Sequence, residues 1–348
     1  MEKLRMGTAY HGNRILKHVR EDMTDIARHN MNLVVHMFTH TDWERHLGVM
    51  KDIVSASRDA GLEVWIDNWG LGGPPGDVSH FLGAHPEAHQ VYSDGTPDPV
   101  SVCYNSEAFV EFTKRWLDTV ASFGGDKIFW DEPHLKLKKS DGGEVFTCCC
   151  PTCRRLFEER YGHPMPATLT DEVKEFRTRS ITGYFDRVTS YAKLLGMENI
   201  VCVMLHTLEE TSGLAGLAGL AGIDDYGIDP YWFPGKKNND PYDFVYETSC
   251  EAAKKAKALG KRHHIWIQGY SIPAGYEDEI VTAYDAAYDA GARTILSWSY
   301  RGGESNTYRS ENCERVWQVM GEATARIRGR YFDDIRNEKL KKYRQKTN

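Results

Sequence analysis

Short runs rich in β-branched and aromatic residues recur along the chain, and most are followed by an amphipathic stretch of helical length. Parallel strands need long crossovers, usually helical, so this alternation specifies a parallel sheet rather than hairpins. The runs are Leu4 to Tyr10, Asn32 to Phe38, Leu62 to Asp67, Lys127 to Asp131, Ile200 to His206, Asp225 to Asp229, His264 to Gln268 and Thr294 to Trp298. Helices are expected around Ile15 to His29, Trp43 to Ala60, Ala108 to Phe123, Asp171 to Leu195 and Tyr242 to Leu259. Glycines stand where helices end, as in Ala60-Gly61-Leu62, Leu259-Gly260-Lys261 and Ala290-Gly291-Ala292. Eight such units predict an α/β protein, a single (β/α)8 barrel over residues 1–330 with long loops after strands three and four. Residues 331–348 read as a basic C-terminal tail.

A barrel of this kind runs about 250 residues before insertions, so the 348 residues here require no second domain. Hydrophobic residues make up 41% and charged residues 27%, as in folded proteins with an ample core. The net charge of -7 leaves no broad basic surface for phosphates, which argues against nucleic acid as a partner. The first residues carry no apolar run of signal-peptide length, and nowhere do about 20 apolar residues follow one another, so a membrane is not expected and the cytoplasm is. The segment Gly213 to Gly222 repeats Gly, Leu and Ala, which reads as close packing of a short helix. The oligomeric state stays open, a homo-oligomer included.

Thr147-Cys148-Cys149-Cys150-Pro151-Thr152-Cys153 contains C-x-C-x-x-C through Cys148, Cys150 and Cys153, with Cys103 upstream. Four thiolates suit a tetrahedral zinc ion in a closed, structural site, and Cys149 is left out by the alternation. The competing readings are free loop cysteines or a redox pair. No organic cofactor is expected.

From here the chain resembles the β-galactosidases of glycoside hydrolase family 42, members of the clan A (β/α)8 retaining glycosidases. The residues concerned are Val102 to Phe109, the strand end Trp130-Asp131-Glu132, and Cys148 to Phe157. In that family the isolated cysteine and the C-x-C-x-x-C group hold one zinc ion, so the resemblance implies that role for Cys103, Cys148, Cys150 and Cys153. It covers residues 60 to 160, and the remainder only as barrel architecture.

Glycosidases need two carboxyl groups flanking the scissile bond. Glu132, ending strand four, is the candidate general acid, at the place where the resembled clan keeps its acid/base glutamate. Asp131 stands where that clan usually has Asn, and its charge would raise the pKa of Glu132 and favour the protonated form. The pair as mere helix caps is the plainer reading. Strand seven, where the clan keeps its nucleophile, ends instead in Gln268, which cannot serve as one. Asp229, ending strand six, is therefore the candidate base of an inverting pair, with Asp67 at the end of strand three the other possibility. A third arrangement has Asp131 orient a substrate acetamido group while Glu132 protonates the leaving oxygen.

Asp67, Trp69, His206, Tyr231, Trp232, Gln268, Trp298 and Tyr300 fall at strand ends as candidate sugar-binding residues, aromatic faces stacking on rings and polar groups meeting hydroxyls. Each aromatic taken singly is as readily a core residue. His11, His36, His40 and His206 lie near strand ends without H-x-H or H-E-x-x-H spacing. The expected function is hydrolysis of O-glycosidic bonds in a small oligosaccharide or glycoside. The alternatives are a retaining or acetamido-assisted glycosidase, a carbohydrate-binding barrel that has lost catalysis, and a metal-dependent hydrolase using the rim histidines.

Overall fold

The computed structural model describes residues 2–73, 76, 79–140, 143–203, 216–233 and 241–347. Eight parallel strands close into a barrel: β1 (Arg5–Tyr10), β2 (Leu33–Met37), β3 (Glu63–Asp67), β4 (Lys127–Trp130), β5 (Glu198–Val203), β6 (Asp225–Ile228), β7 (Arg262–Gln268) and β8 (Thr294–Trp298). Each strand neighbours the next in sequence and β8 returns to β1, the single (β/α)8 barrel expected. The strands are buried almost throughout, because barrel side chains on one face fill the interior and on the other meet the helices. The end expected for strand five at His206 lies outside the described residues.

The chain divides into two compact units, residues 1–36, 52–64 and 227–348, and residues 37–51 and 65–226. In the first, β1 pairs with β8 from Arg5↔Thr294 to Thr8↔Ser297 and with β2 from Gly7↔Leu33. Gly7 is required there, since a Cβ would lie 2.5 Å from the Leu33 carbonyl oxygen. The region read as a basic tail continues a helix that starts much earlier, Cys313–Thr347.

In the second unit β4 pairs with β3 through Ile66↔Ile128 and with β5 from Lys127↔Glu198 to Trp130↔Val201. The indole of buried Trp130 donates to Asn199 Oδ1 at 2.9 Å, anchoring the end of β4. The loop after β3 carries an antiparallel hairpin, His89–Val91 with Pro97–Val102, and the loop after β4 a second, Leu137–Ser140 with Gly143–Phe146. The helix Pro151–Tyr161 follows. The loop after β4 is tied down by the buried Arg177 guanidinium, which donates to the carbonyls of Leu135, Lys136 and Thr147. Burying a guanidinium is tolerable only with such partners.

Candidate active site

Three carboxylates end two neighbouring strands of the second unit. Asp67 is the last residue of β3, and Asp131 and Glu132 directly follow β4. Asp67 is fully buried, and among the described residues neither carboxylate oxygen has a hydrogen-bond partner of good geometry. Burial, then repulsion from Glu132, holds its pKa well above the usual carboxylate range, the nearby Trp69 amide offsetting this only in part. Asp131 is raised as well, by burial and then by the charges of Asp67 and Glu132. Like charges confined together cannot all ionise, so burial and repulsion favour protons retained on Asp67 and Asp131.

Glu132 has φ of 38°, in the left-handed region. For a residue with a Cβ this conformation costs on the order of 1–3 kcal/mol, and such outliers persist where the surroundings over-determine them. Here the neighbours do so. His134 Nδ1 donates to the Glu132 carbonyl at 2.7 Å, and the Asp131 amide donates to Asn68 Oδ1 at 3.3 Å. The strain re-aims the chain as it leaves β4, and Asp131 and Glu132 both line a narrow, open cleft with about 30 Å³ of free volume.

The same cleft is lined by Asn68, Gly70 to Gly73, Gln90, Tyr104, His134 and Lys136, which sequence reasoning did not select. Tyr104 adjoins Cys103 and His134 lies two positions past Glu132, and nearness to those residues was the available signal. Burial lowers the Lys136 ammonium pKa, Glu132 being among the charges that counter this. The cleft thus mixes carboxyl groups, amides, a phenol and an amine, a set suited to binding hydroxyls and moving a proton.

Asp229, Tyr231, Trp232, Gln268, Trp298 and Tyr300 lie in the first unit. Asp229 is buried just beyond β6, its carbonyl accepting from the Tyr231 amide at 2.7 Å. Gln268 ends β7 with its amide fully used inside the chain. Its Oε1 accepts from the Trp232 and Phe233 amides, both at 2.8 Å, and its Nε2 donates to the carbonyls of Phe233 at 2.9 Å and Tyr270 at 3.0 Å. An amide satisfies that pattern and a carboxylate cannot. Gln268→Glu is therefore expected to lower stability by about 1–3 kcal/mol, the cost of leaving buried carbonyls unpaired, and to restore no nucleophile; urea denaturation together with glycosidase assays checks both.

Among the aromatics, Trp232 is buried and its indole donates to Glu279 Oε2 at 3.0 Å. The Tyr300 hydroxyl is shared between Asp22 at 3.1 Å and Asp25 at 3.2 Å. Both are engaged within the protein. Trp298 is partly exposed and meets His11 edge to face at 4.8 Å between centroids. Burial lowers the His11 pKa to about 4, so that imidazole is neutral. Tyr231 is partly exposed against Tyr270, and Trp69 is partly exposed in the second unit. His206 lies outside the described residues, and His36 is buried with its Nε2 2.8 Å from Ser57 Oγ.

Cys103, Cys148, Cys150 and Cys153 bring four buried sulfurs within 4.8 Å of one another. Cys103 Sγ lies 3.4 Å from Cys153 Sγ and 3.6 Å from Cys150 Sγ. Disulfide sulfurs would be about 2.0 Å apart, whereas tetrahedral zinc with bonds of about 2.3 Å sets its sulfurs roughly 3.8 Å apart. The four residues can hold a metal ion, and their chemistry fits zinc. Cys103 is placed by its amide donating to Ala88 O at 2.7 Å, and Cys150 caps the helix whose first residue is Pro151. Hydrogen bonding from the neighbouring thiols, Cys103 foremost, holds Cys150 well below the ordinary thiol range, and a helix N-terminus favours the same thiolate. The Asn105 side chain donates to Cys153 Sγ at 3.2 Å. Cys149 is outside the set, its thiol pushed up to about 12 by burial.

No protein-family model and no curated protein matches the chain. Solved structures do match its fold. A catalytic mutant of a family 42 β-galactosidase from G. stearothermophilus is 11% identical with a TM-score of 0.70, over 93% of this chain and 56% of that one. The catalytic domain of β-amylase from Paenibacillus polymyxa is 11% identical with a TM-score of 0.64, over 92% and 98%. A GH5_18 protein from Bifidobacterium longum in complex with Manβ1-4GlcNAc is 12% identical with a TM-score of 0.63, over 93% and 78%. The chain spans little more than half the length of that β-galactosidase. At these identities the likeness establishes the architecture: this chain has a (β/α)8 barrel.

Proposed function

We propose that the protein is a glycosidase, with Glu132 as general acid in the cleft at the end of β4. The observation that carries this is the cluster of three carboxyls, Asp67, Asp131 and Glu132, two of them lining one cleft, with burial and mutual repulsion favouring protons on Asp67 and Asp131. An acid catalyst must hold its proton until the leaving oxygen takes it. Glu132 donates to the glycosidic oxygen as the C–O bond breaks, and Asp229 takes a proton from the water that attacks the opposite face of the anomeric carbon. The configuration inverts and no covalent intermediate forms. The substrate is a short oligosaccharide or glycoside, with Trp69, Tyr231 and Trp298 as the aromatic faces that remain partly open. The barrel's likeness to carbohydrate-active structures supports the same reading.

Zinc on the four cysteines would hold the loops after β3 and β4 together; a closed four-thiolate site leaves no position for substrate. None of the eight cysteines is joined in a disulfide, which fits the reducing cytoplasm. Among the described residues no helix is long and apolar enough to cross a membrane.

A second reading is favoured by Asp131 and Glu132 lining the cleft side by side: Asp131 would orient a 2-acetamido group that attacks the anomeric carbon in place of an enzyme nucleophile. A panel of nitrophenyl glycosides with and without chelator tests the function, and NMR of the first-formed sugar tests the mechanism. Turnover that survives chelation, with an inverted anomer, supports the first reading. A retained anomer from N-acetylated substrates alone supports the second. No turnover on any glycoside overturns both.

The carboxyl group also sets a pH dependence. Repulsion is reciprocal, so Asp67→Asn removes a charge that raises its neighbours' pKa values. The charge of Asp67 raises Asp131 in particular, which is expected to hold its proton less tightly in the variant. Stability carries its own sign. The folded Asp67 binds its proton more tightly than the unfolded chain does, so stability falls as pH rises from the unfolded carboxylate range through the raised folded value. Asp67→Asn should accordingly raise Tm at pH 8 and leave it nearly unchanged at pH 4, as thermal denaturation at the two pH values would show.

A further inference from the structure

We propose that His40, Glu44 and His80 form a second metal site, for a divalent first-row transition ion such as zinc, separate from the four cysteines. His40 and Glu44 are one helical turn apart on the helix His40–Arg45, and His80 comes from the loop after β3, just before the short helix Phe81–Ala84. One ligand atom from each lies within 4.8 Å of the other two. Glu44 stands between the imidazoles, its Oε1 3.5 Å from His40 Nε2 and its Oε2 3.1 Å from His80 Nδ1.

The first of the three ligands is pre-oriented. His40 Nδ1 lies 3.0 Å from Oγ of buried Ser79, which also accepts the Phe81 amide at 3.2 Å. A ligating imidazole characteristically commits its other nitrogen to such a partner, which fixes both ring orientation and tautomer. The ring packs edge to face on Phe112 at 4.8 Å. Its helix is pinned by a reciprocal cap, the Asp42 amide donating to Thr39 Oγ1 at 3.0 Å and the Thr39 amide to Asp42 Oδ2 at 3.1 Å. Glu44 and His80 are exposed, their side chains 44% and 56% accessible, so both can swing the remaining distance onto an ion held about 2.0–2.2 Å from each ligand.

Two imidazoles and a carboxylate select a borderline ion such as zinc, nickel or cobalt over magnesium or calcium, which prefer all-oxygen sets. Three protein ligands leave at least one position for water. The ion would bridge the helix after β2 to the loop that also supplies Asn68 and Gly70 to Gly73 of the cleft wall, so occupancy would stiffen one side of the candidate active site.

The test is calorimetric titration of zinc chloride into the full chain that already holds one zinc, with the folded state checked by circular dichroism. One further equivalent is expected, weakening as pH falls through the histidine range because the ligands must be deprotonated. His80→Ala should weaken that second equivalent at least tenfold, and Ser79→Ala by roughly 10- to 100-fold through the orienting contact alone, both leaving the first zinc in place. Cobalt provides the control: an ion on nitrogen and oxygen ligands lacks the intense near-ultraviolet charge-transfer bands that thiolates give. The absence of a second equivalent, or one of equal affinity in His80→Ala and Glu44→Gln, overturns the proposal and leaves the three residues as a surface ion-pair cluster.

Discussion

Glu132→Gln is expected to fold normally and to lose roughly 10²- to 10⁴-fold in rate on glycosides with poor leaving groups, while substrates with activated nitrophenolate leaving groups suffer much less. The amide keeps the shape and removes the transferable proton, so only reactions that need leaving-group protonation feel the change. Reaction rates across a series of aryl leaving groups check this through the slope of rate against leaving-group pKa. A companion variant separates chemistry from architecture. Glu132 holds a backbone conformation that glycine adopts without strain, so Glu132→Gly should lose the same activity while its Tm falls no lower than that of the wild type. An unchanged rate in Glu132→Gln would leave Glu132 a structural turn residue.

The largest effect on stability is expected from Cys148→Ser. A closed four-thiolate site contributes folding free energy directly, and this one joins the strand that ends at Val102 to the helix that begins at Pro151. The variant should lose its tightly held metal and several kcal/mol of stability, and prolonged treatment with a strong chelator should do the same to the wild type. Turnover per folded molecule should change far less, because the site offers no position to substrate. Cys149→Ser, outside the set, serves as the control with little effect on either quantity. Metal analysis and thermal denaturation read the outcome; freshly prepared protein without zinc would contradict the assignment.

How far each feature was legible depended on whether its cause was local. The barrel strands could be read from runs such as Thr294 to Trp298, because burial on both faces demands continuous apolar stretches. The hairpin strand Leu137–Ser140 could not, since its paired register depends on the loop around it and its composition is half lysine. The cysteine set was visible because three of its members lie within six residues. The raised pKa of Asp67 was not, as it arises from burial and from Glu132 on a neighbouring strand, 65 positions away in sequence. Strand-end position predicted which residues reach the rim and left open where their side chains turn. Trp232 turns to Glu279 and Tyr300 to two aspartates, and Gln268 is consumed by the backbone of its own surroundings. The His40, Glu44 and His80 group had no motif to reveal it, since half of its geometry comes from a residue 36 positions beyond Glu44.

The central claim, that the cleft at the end of β4 is where a glycosidic bond is broken, is tested most directly by a crystal structure of Glu132→Gln soaked with a glycoside of poor leaving group that the wild type hydrolyses and the variant does not. The predicted result is an intact glycoside in that cleft, its glycosidic oxygen within hydrogen-bonding distance of the side chain at position 132 and a water between the anomeric carbon and Asp229. A glycoside bound with its anomeric carbon remote from residue 132 would contradict the account.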